Sequence, residues 1–302
     1  MEQLNTPVLL IIFNRPEKVR RLIESLASVK PRKIYIVADG PRISVESDKE
    51  KCNEAREVAV NIPWDCEIHT KFFDENLRSR HKAVDYTVVA GLDWFFSENE
   101  FGIVLEDDCI PNITFYKFCE ELLKKYKDNT KIMHISGNNF QNGIQRGAAS
   151  YYFSFYTHSW GWATWKRAWN QFHPAVEDMG NYDAEKRVEL LTLSKAAKKF
   201  WMKSYRTKRH WDSLWQYTVW HENGLSILPN QNLVSNIGFD EEATNTRHDT
   251  HFSNMSTSSL EKIIHPATIN ANESADEYTF KTVFYTPIYK RVWIRLRNLI
   301  KN

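Results

Sequence analysis

Apolar runs of strand length alternate with stretches of helical periodicity along the first 140 residues of the chain. The run PVLLIIF at positions 7–13 is apolar throughout, which is typical of a strand covered on both faces of a sheet. In the following segment Val19, Leu22, Ile23 and Leu26 recur at helical spacing, so we expect one face of a helix to be buried. Further strands are predicted at 33–38, 67–72, 101–105 and 132–136.

This alternation of strands and helices predicts right-handed βαβ units. We therefore expect the α/β class, with a mainly parallel, mixed sheet flanked by helices, in which ligands bind beyond the carboxyl ends of the strands. The rhythm changes after Ser150, where tryptophan-rich segments begin. The chain is accordingly predicted to form one continuous fold with two halves, 1–140 and 141–275, followed by a C-terminal segment at 276–302.

The C-terminal segment is basic and amphipathic. No acidic residue follows Glu277, and apolar side chains from Tyr289 to Ile300 fall on one helical face. This pattern is typical of a helix that lies on an anionic bilayer, here residues 286–301, but also of a helix that docks on its own protein. Both interpretations stay open.

The composition is that of an ordinary globular protein and excludes few functions. Of 302 residues, 42% are hydrophobic and 26% are charged, and a formal charge of +2 leaves no broad basic surface for nucleic acid. We find neither a secretory signal nor an apolar run near the ~20 residues of a membrane span. We therefore expect a cytoplasmic protein. The alternative, which the C-terminal segment suggests, is a protein that contacts the inner face of the membrane peripherally.

The four cysteines form no CxxC pair and are predicted to be free thiols.

Three adjacent carboxylates, Glu106, Asp107 and Asp108, follow the apolar run FGIVL. They repel one another, and a hard divalent cation such as Mn²⁺ or Mg²⁺ removes that cost because it prefers oxygen ligands. Such a metal acts as a Lewis acid on a leaving diphosphate. The position after a buried strand favours a metal site over the alternative of a solvated acidic turn.

Three more side chains are candidates for chemistry. Arg15 lies where a helix begins after the first strand, and a cation beside free helical amide groups suits a phosphate oxygen. Asp39 ends the second strand in an Asp-Gly turn. Asp212 lies among aromatic residues, so we expect a desolvated carboxylate with the raised proton affinity of a general base. The alternative interpretation of Asp212 is a helix N-cap.

Eight of the eleven tryptophans lie between Trp160 and Trp220. Clusters of aromatic residues are usually core, which is one interpretation of this region. The other is a sugar-binding cleft, because flat rings stack on the apolar face of a pyranose. His158, two residues before Trp160, is a candidate ligand contact in the same region.

Six sequence pieces, in order, resemble those of bacterial nucleotide-diphospho-sugar transferases with the GT-A fold. The chain is also similar, more distantly, to the Golgi N-acetylglucosaminyltransferase I family. The pieces are IIFNRP (11–16), VADG (37–40), VLEDD (104–108), HISGNN (134–139), WGWATWKRAW (160–169), and WDSLW (211–215) followed by LSILPNQNLVSNIG (225–238).

This resemblance implies an inverting transfer of a sugar from a UDP-sugar to an acceptor hydroxyl, with Mn²⁺ or Mg²⁺. The implied setting is the synthesis of bacterial cell-surface polysaccharide or lipopolysaccharide, with a saccharide or a lipid-linked saccharide as the acceptor. The first half of the chain would bind the nucleotide-sugar in a Rossmann-like arrangement, and the second half would bind the acceptor.

The resemblance also implies roles for single residues. Asp108 would bind the metal directly, while Glu106 and Asp107 would face the sugar and ribose of the donor. Asp212 would be the catalytic base. The other implied contacts are Asp39 with the uracil, Arg15 with the diphosphate, Phe13, Asn14 and Lys82 elsewhere on the donor side, and His158, Gly161, Trp162 and Trp211 on the acceptor side.

Two departures from the families and two rival functions stay open. Arg78 follows Asn76-Leu77, where the bacterial relatives usually carry glycine. WDSLW stands where the Golgi enzymes have adjacent aspartates, so a neighbour of Asp212 is an alternative base.

A sugar-nucleotide nucleotidyltransferase, the first rival function, usually has a glycine-rich loop after its first strand, and FNRPEK has no glycine. A non-catalytic carbohydrate-binding protein would not require the three carboxylates and would be indifferent to EDTA and UDP.

Overall fold

The predicted strands assemble into one central sheet in the computed structural model of the protein, which describes residues 3–77, 86–181, 188–189, 191–205, 210–239 and 252–285. The strands in these ranges are β1 (Val8–Ile12), β2 (Lys33–Ala38), β3 (Glu67–Phe72), β4 (Phe101–Glu106), β5 (Cys109–Pro111), β6 (Ile132–Ser136), β7 (Tyr151–Ser154), β8 (Trp162–Trp165), β9 (Leu225–Pro229) and β10 (Val234–Asn236). The helices are α1 (Pro16–Leu26), α2 (Asp48–Val60), α3 (Tyr86–Glu98), α4 (Ile113–Lys125), α5 (Lys166–Trp169), α6 (Phe172–Asn181), α7 (Lys195–Tyr205), α8 (Trp211–His221) and α9 (Glu273–Thr279), which a π-helix (Phe280–Phe284) continues.

Eight strands form the central sheet in the order β3-β2-β1-β4-β8-β6-β9-β7. Six of them point the same way, while β8 runs antiparallel to β4 and β6, and β7 runs antiparallel to β9. The remaining strands, β5 and β10, pair with each other as a separate antiparallel ribbon. The prediction of an α/β protein with a mainly parallel, mixed sheet is thus confirmed.

Both faces of the sheet are covered, as the continuous apolar run at β1 predicts. Val8, Leu10 and Ile12 belong to one core cluster, which also contains the buried apolar stripe of α1. Leu9 and Ile11 belong to a second cluster, which includes α3 and most of the tryptophans. Full burial of a side chain of this size stabilises the fold by about 1.5–3 kcal/mol, so β1 is a strong organising element.

The tryptophan cluster is largely core. Seven of the eight tryptophans between Trp160 and Trp220 are at most 5% exposed. The exception is Trp160, which is only partly buried. The core interpretation therefore accounts for seven rings, and Trp160 is the least buried of the eight.

Several other expectations can be compared with the described residues. All four cysteines are free thiols. None of the described helices is long and apolar enough to cross a membrane. The proposed membrane-contacting segment at 286–301 lies outside the described residues.

His134 on β6 is held in the core as a neutral ring. Its Nδ1 accepts a hydrogen bond of 3.1 Å from the indole nitrogen of Trp215, and its Nε2 lies 3.0 Å from the backbone oxygen of His158. An indole N–H can only donate, so Nδ1 carries no proton and Nε2 is the donor. Burial lowers the pKa of His134 to about 3, which agrees with this hydrogen-bond pattern.

We predict that His134 makes the fold sensitive to acid. At pH values between the ordinary histidine pKa and about 3, this histidine is protonated in the unfolded chain but not in the native protein. The free energy of unfolding therefore falls as the pH falls. From pH 7.5 to about 5 this residue alone should remove about 2 kcal/mol of the free energy of unfolding. Urea titrations of wild type and His134→Gln at both pH values measure the difference, because the variant lacks this contribution.

His173→Gln is the matched control, since His173 is exposed and pairs with Asp93 at the surface. Its loss of unfolding free energy between the two pH values should stay within about 0.5 kcal/mol of the wild-type loss, as for an ordinary surface substitution. An acid sensitivity of His134→Gln as large as that of wild type would contradict the prediction.

Candidate functional site

A cleft of about 790 Å³ opens at the edge of the sheet where the carboxyl ends of β2, β1 and β4 meet. Such an edge is where open α/β sheets bind ligands. Each of the three strands delivers a predicted site residue to the cleft: Asp39 after β2, Arg15 after β1, and the acidic triplet Glu106–Asp108 at the end of β4. The topology therefore brings these distant parts of the sequence together.

Two of the three carboxylates, Asp107 and Asp108, are buried and share one guanidinium, while Glu106 is partly buried. Asp107 is 1% exposed and Asp108 is 9% exposed, so the alternative of a solvated acidic turn is wrong. Arg15 forms an ion pair with each of them. Its Nη2 contacts Oδ1 of Asp107, and its Nη1 lies 2.9 Å from Oδ2 of Asp108. The backbone nitrogen of Phe13 also donates to Asp107, at 3.3 Å.

One cation does not balance three carboxylates. Burial raises the pKa of Asp107 to about 6, although the charge of Arg15 acts in the opposite direction. Burial also raises the pKa of Glu106 well above its usual range, and the charges of Asp108 and Asp107 raise it further. The site therefore favours an additional positive charge, either protons or a bound cation.

The β5–β10 ribbon fixes Asp108 at the rim of the cleft. Oδ1 of Asp108 accepts a hydrogen bond of 3.3 Å from Asn236, and its backbone oxygen accepts one of 2.9 Å from Ile237. A Cβ at Gly238 would lie 2.1 Å from Oδ2 of Asp108. Any larger residue at position 238 would displace the Asp108 carboxylate.

The chemistry of these groups fits a hard divalent cation. Among the described residues, no group of three or more His, Cys, Asp or Glu side chains is arranged to hold a metal by itself. Mg²⁺ and similar ions, however, are commonly bound by one or two carboxylates together with substrate phosphates. Asp108 at the rim provides such an oxygen ligand, so its role as a metal ligand stays a prediction.

Asp39 is oriented by the loop that follows β3. Its Oδ1 accepts hydrogen bonds from the backbone nitrogens of Gly40 and Leu77, at 2.9 and 3.0 Å, and its Oδ2 accepts one of 2.8 Å from the amide of Asn76. Burial raises the pKa of Asp39. A Cβ at Gly40 would lie 2.4 Å from the backbone of Glu75, so the close approach of this loop requires glycine.

Arg42 lies in the cleft wall, whereas Asn14 contacts Asp48 and its donor-side role stays a prediction. Arg42 lines the cleft, its guanidinium lies 5.4 Å from the centre of the Phe13 ring, and it forms a bidentate pair with Asp48. Asn14 donates to the same Asp48 at 2.8 Å and is not a lining residue, whereas Phe13 is. Sequence reasoning did not identify Arg42, although it lies only three residues beyond Asp39.

Asp212 lies at the start of α8, beside His210 and Trp211 in the cleft wall. The N-cap interpretation is wrong, because the cap is His210 and Asp212 is the second residue of the helix. The expectation of a desolvated carboxylate is also wrong, since Asp212 is exposed. Its charge contributes to the raised pKa of Glu106, which places Asp212 near the acidic triplet.

The predicted acceptor-side residues divide into two groups. Trp211 lines the cleft, but Trp162 and His158 are buried behind its wall, and Gly161 lies in the turn between them. Burial lowers the pKa of His158 to about 4, so its ring is neutral.

Four aromatic residues that line the cleft were not predicted as site residues: Phe140, Trp160, Phe239 and Phe252. Lys82 lies outside the described residues.

Comparisons with known proteins give only distant similarities. No protein-family model and no curated protein sequence matches the chain. Among solved structures, the chain is similar to the galactosyltransferase LgtC in complex with donor and acceptor sugar analogs, at 12% identity and a TM-score of 0.33, over 58% of this chain and 64% of that one. It is also similar to mouse xyloside xylosyltransferase 1 in its apo form, at 12% identity and a TM-score of 0.36, over 70% and 80% of the two chains.

The chain thus spans less than two thirds of the LgtC galactosyltransferase. With TM-scores of 0.33 and 0.36, these similarities assign neither a family nor an activity to the protein.

We predict that Arg15→Met destabilises the protein in a pH-dependent way. Removing one partner from a buried ion pair leaves uncompensated charge, which should lower the free energy of unfolding by about 3 kcal/mol at neutral pH. Carboxylates with raised pKa values bind protons in the native state at a higher pH than in the unfolded state, so acidification relieves the repulsion. The deficit relative to wild type should therefore shrink as the pH falls, as urea titrations across that range will measure.

Arg20→Met is the control, because Arg20 is half exposed and pairs only with Glu17 at the surface among the described contacts. Its effect should stay within about 0.5 kcal/mol at every pH. An Arg15→Met deficit that is independent of pH would argue against buried carboxylates as its cause.

Proposed function

We propose that the protein is a glycosyltransferase that moves a sugar from a nucleoside diphosphate sugar onto an acceptor hydroxyl. The proposed donor is a UDP-sugar, and the transfer inverts the configuration of the anomeric carbon. The observation that carries this proposal is the acidic triplet at the carboxyl edge of the sheet, in which Asp107 and Asp108 are buried and pair with Arg15. A Mn²⁺ or Mg²⁺ ion belongs to the proposal as the cation that completes the charge balance.

The charges of the cleft support the need for a metal. The described lining residues include five carboxylates, at Asp39, Glu106, Asp107, Asp108 and Asp212, and two guanidinium groups, both of which form ion pairs with aspartates. A diphosphate entering this cleft would be repelled unless it brought or met additional positive charge. Asp108 would hold a divalent cation, which would supply that charge and Lewis-acid chemistry for the departing diphosphate.

The size and layout of the cleft suit a nucleotide-sugar. Its volume of about 790 Å³ lies within the range of small-molecule sites. Asp39 presents an oriented carboxylate that accepts hydrogen bonds at the β2 end, where we place the base, and Arg15 lies beside the position proposed for the diphosphate. Glu106 and Asp107 would then face the sugar and ribose of the donor.

Asp212 is the proposed general base. It lies in the cleft wall on α8, a different element from the triplet, and its exposed carboxylate is accessible to an acceptor hydroxyl. In an inverting transfer the base takes the hydroxyl proton, the acceptor oxygen forms a bond to the anomeric carbon, and the bond from that carbon to the diphosphate breaks in the same displacement.

We extend the proposal to the setting that the sequence resemblance implies. The acceptor is a saccharide or a lipid-linked saccharide in the synthesis of bacterial cell-surface polysaccharide or lipopolysaccharide. The protein acts in the cytoplasm, with peripheral membrane contact through residues 286–301. The basic, amphipathic sequence of that segment supports such contact.

We predict that UDP binding depends on Mn²⁺ and on Asp108. In isothermal titration calorimetry, EDTA or Asp108→Asn should weaken binding at least tenfold, which corresponds to about 1.4 kcal/mol, because the diphosphate then meets only the acidic cleft. Asp65→Asn, at an exposed position before β3, is the charge-matched control and should bind as wild type does. UDP binding that survives both EDTA and Asp108→Asn would overturn the metal assignment, and a lectin would not respond to UDP at all.

We further predict that Asp212→Asn strongly slows turnover while UDP still binds. Losing a general base should lower the rate of sugar transfer by a factor on the order of 10³. The measurement is UDP release from UDP-sugars in the presence of methyl glycosides as acceptors. Ser213→Ala, on the same helical turn, is the control. A similar loss in Ser213→Ala, or none in Asp212→Asn, would remove Asp212 from this role.

A further inference from the structure

Four aromatic residues form a continuous wall at one end of the cleft. This aromatic wall consists of Phe140, Trp160, Phe239 and Phe252, all of which line the cavity. The Phe140 ring lies 5.0 Å from Trp160 and 4.8 Å from Phe252, in both cases edge to face, and Trp160 lies 5.6 Å from Phe239 in the same manner. Edge-to-face pairs of this kind hold one another in fixed orientations.

The aromatic wall lies at the opposite end of the cleft from Asp39. Across the sheet the strands run β2, β1, β4, β8 and β6. Asp39 follows β2, the acidic triplet ends β4, Trp160 precedes β8 and Phe140 follows β6. Four strand spacings separate β2 from β6, roughly 19 Å in all. The cleft is thus polar at the β2 end, acidic in the middle and aromatic at the β6 end.

The backbone around the wall is built to present Trp160. Gly161 has a φ of +61°, and a Cβ there would lie 2.9 Å from Val234, so the turn that follows Trp160 requires glycine. The oxygen of Gly161 accepts a hydrogen bond of 2.7 Å from the backbone nitrogen of Gly137, which ties this turn to the end of β6. The backbone around Trp160 is therefore held in one conformation by its glycine turn and this hydrogen bond.

The segment that carries Phe252 is also tied down. The backbone nitrogen of Asn254 donates to the oxygen of Asn236 at 3.0 Å, and that of Ser258 donates to the oxygen of Asn232 at 2.9 Å. Phe252 is thereby held against Phe140 beside the β10 strand that positions Asp108.

Polar groups accompany the aromatic wall. Ser159, Asn236 and Asp212 line the same cavity. A pyranose ring presents an apolar C–H face together with hydroxyl groups at its edge, so it can stack on Trp160 and hydrogen-bond to such neighbours at once.

We propose that the aromatic wall is the acceptor subsite and that it binds a pyranose ring of a saccharide acceptor by stacking on Trp160. This inference rests on the proposed function, because the donor is placed at the β2 end of the cleft. Gly161 then contributes as a residue that positions Trp160.

The test uses octyl β-D-glucopyranoside as a probe, below its micelle concentration and with UDP and Mn²⁺ present. Saturation-transfer NMR distinguishes the ring protons of this probe from its alkyl protons. We expect saturation of the ring protons, a loss of affinity of about tenfold in Trp160→Ala, and substantial retention in Trp160→Phe, which keeps a flat ring. Trp94→Ala, which removes a tryptophan of α3 that does not line this cleft, should bind the probe as wild type does.

The outcomes separate this inference from the proposed function. Saturation confined to the alkyl chain, no binding of the probe while UDP binds, or unchanged affinity in Trp160→Ala would each overturn the acceptor subsite. A wild-type protein that binds the probe through Trp160 but does not bind UDP would instead contradict the proposed function. Thermal unfolding of each variant shows whether it is folded, and Trp160→Phe serves as the test variant if Trp160→Ala is not.

Discussion

The cleft depends on one electrostatic constraint, the crowding of three carboxylates, two of them buried, beside a single guanidinium. Arg15 pairs with Asp107 and Asp108, yet burial still holds the pKa values of Asp107 and Glu106 above their usual ranges. A fold that gains only stability from its side chains does not concentrate charge in this way, because each buried carboxylate costs desolvation energy. The arrangement is consistent with a site whose charge is balanced by a ligand or a cation.

The sheet topology turns this local constraint into a cleft with distinct ends. Because β2, β1 and β4 are adjacent and parallel, their carboxyl ends bring Asp39, Arg15 and the triplet to one edge. The antiparallel insertion of β8 between β4 and β6 has a separate consequence. It brings the start of β8, and with it Trp160, to the same edge as the carboxyl end of β4.

Some parts of the site were predictable because their signals are local. A continuous apolar run followed by charged residues predicts a buried strand and the edge where it ends, which is why Arg15, Asp39 and the triplet could be placed at one edge of the sheet. Arg42 was not identified and the contact of Asn14 was not foreseen, because their common partner, Asp48, lies at the start of α2 and carries no sequence signal for either pairing. The exposure of Asp212 was missed because aromatic neighbours in sequence point to different sides of a helix.

The sequence by itself determined the class of the fold, the order of its first strands and the acidic end of β4, since hydrophobic periodicity and charge are properties of short segments. Only the tertiary structure decided which aromatic rings are core and which line the cleft. Trp160 and Trp162 are two residues apart and chemically identical, yet Trp162 is fully buried and Trp160 faces the cavity. The difference arises from the left-handed turn at Gly161 and the packing of β8 between β4 and β6, and such long-range contacts are not encoded in any single segment.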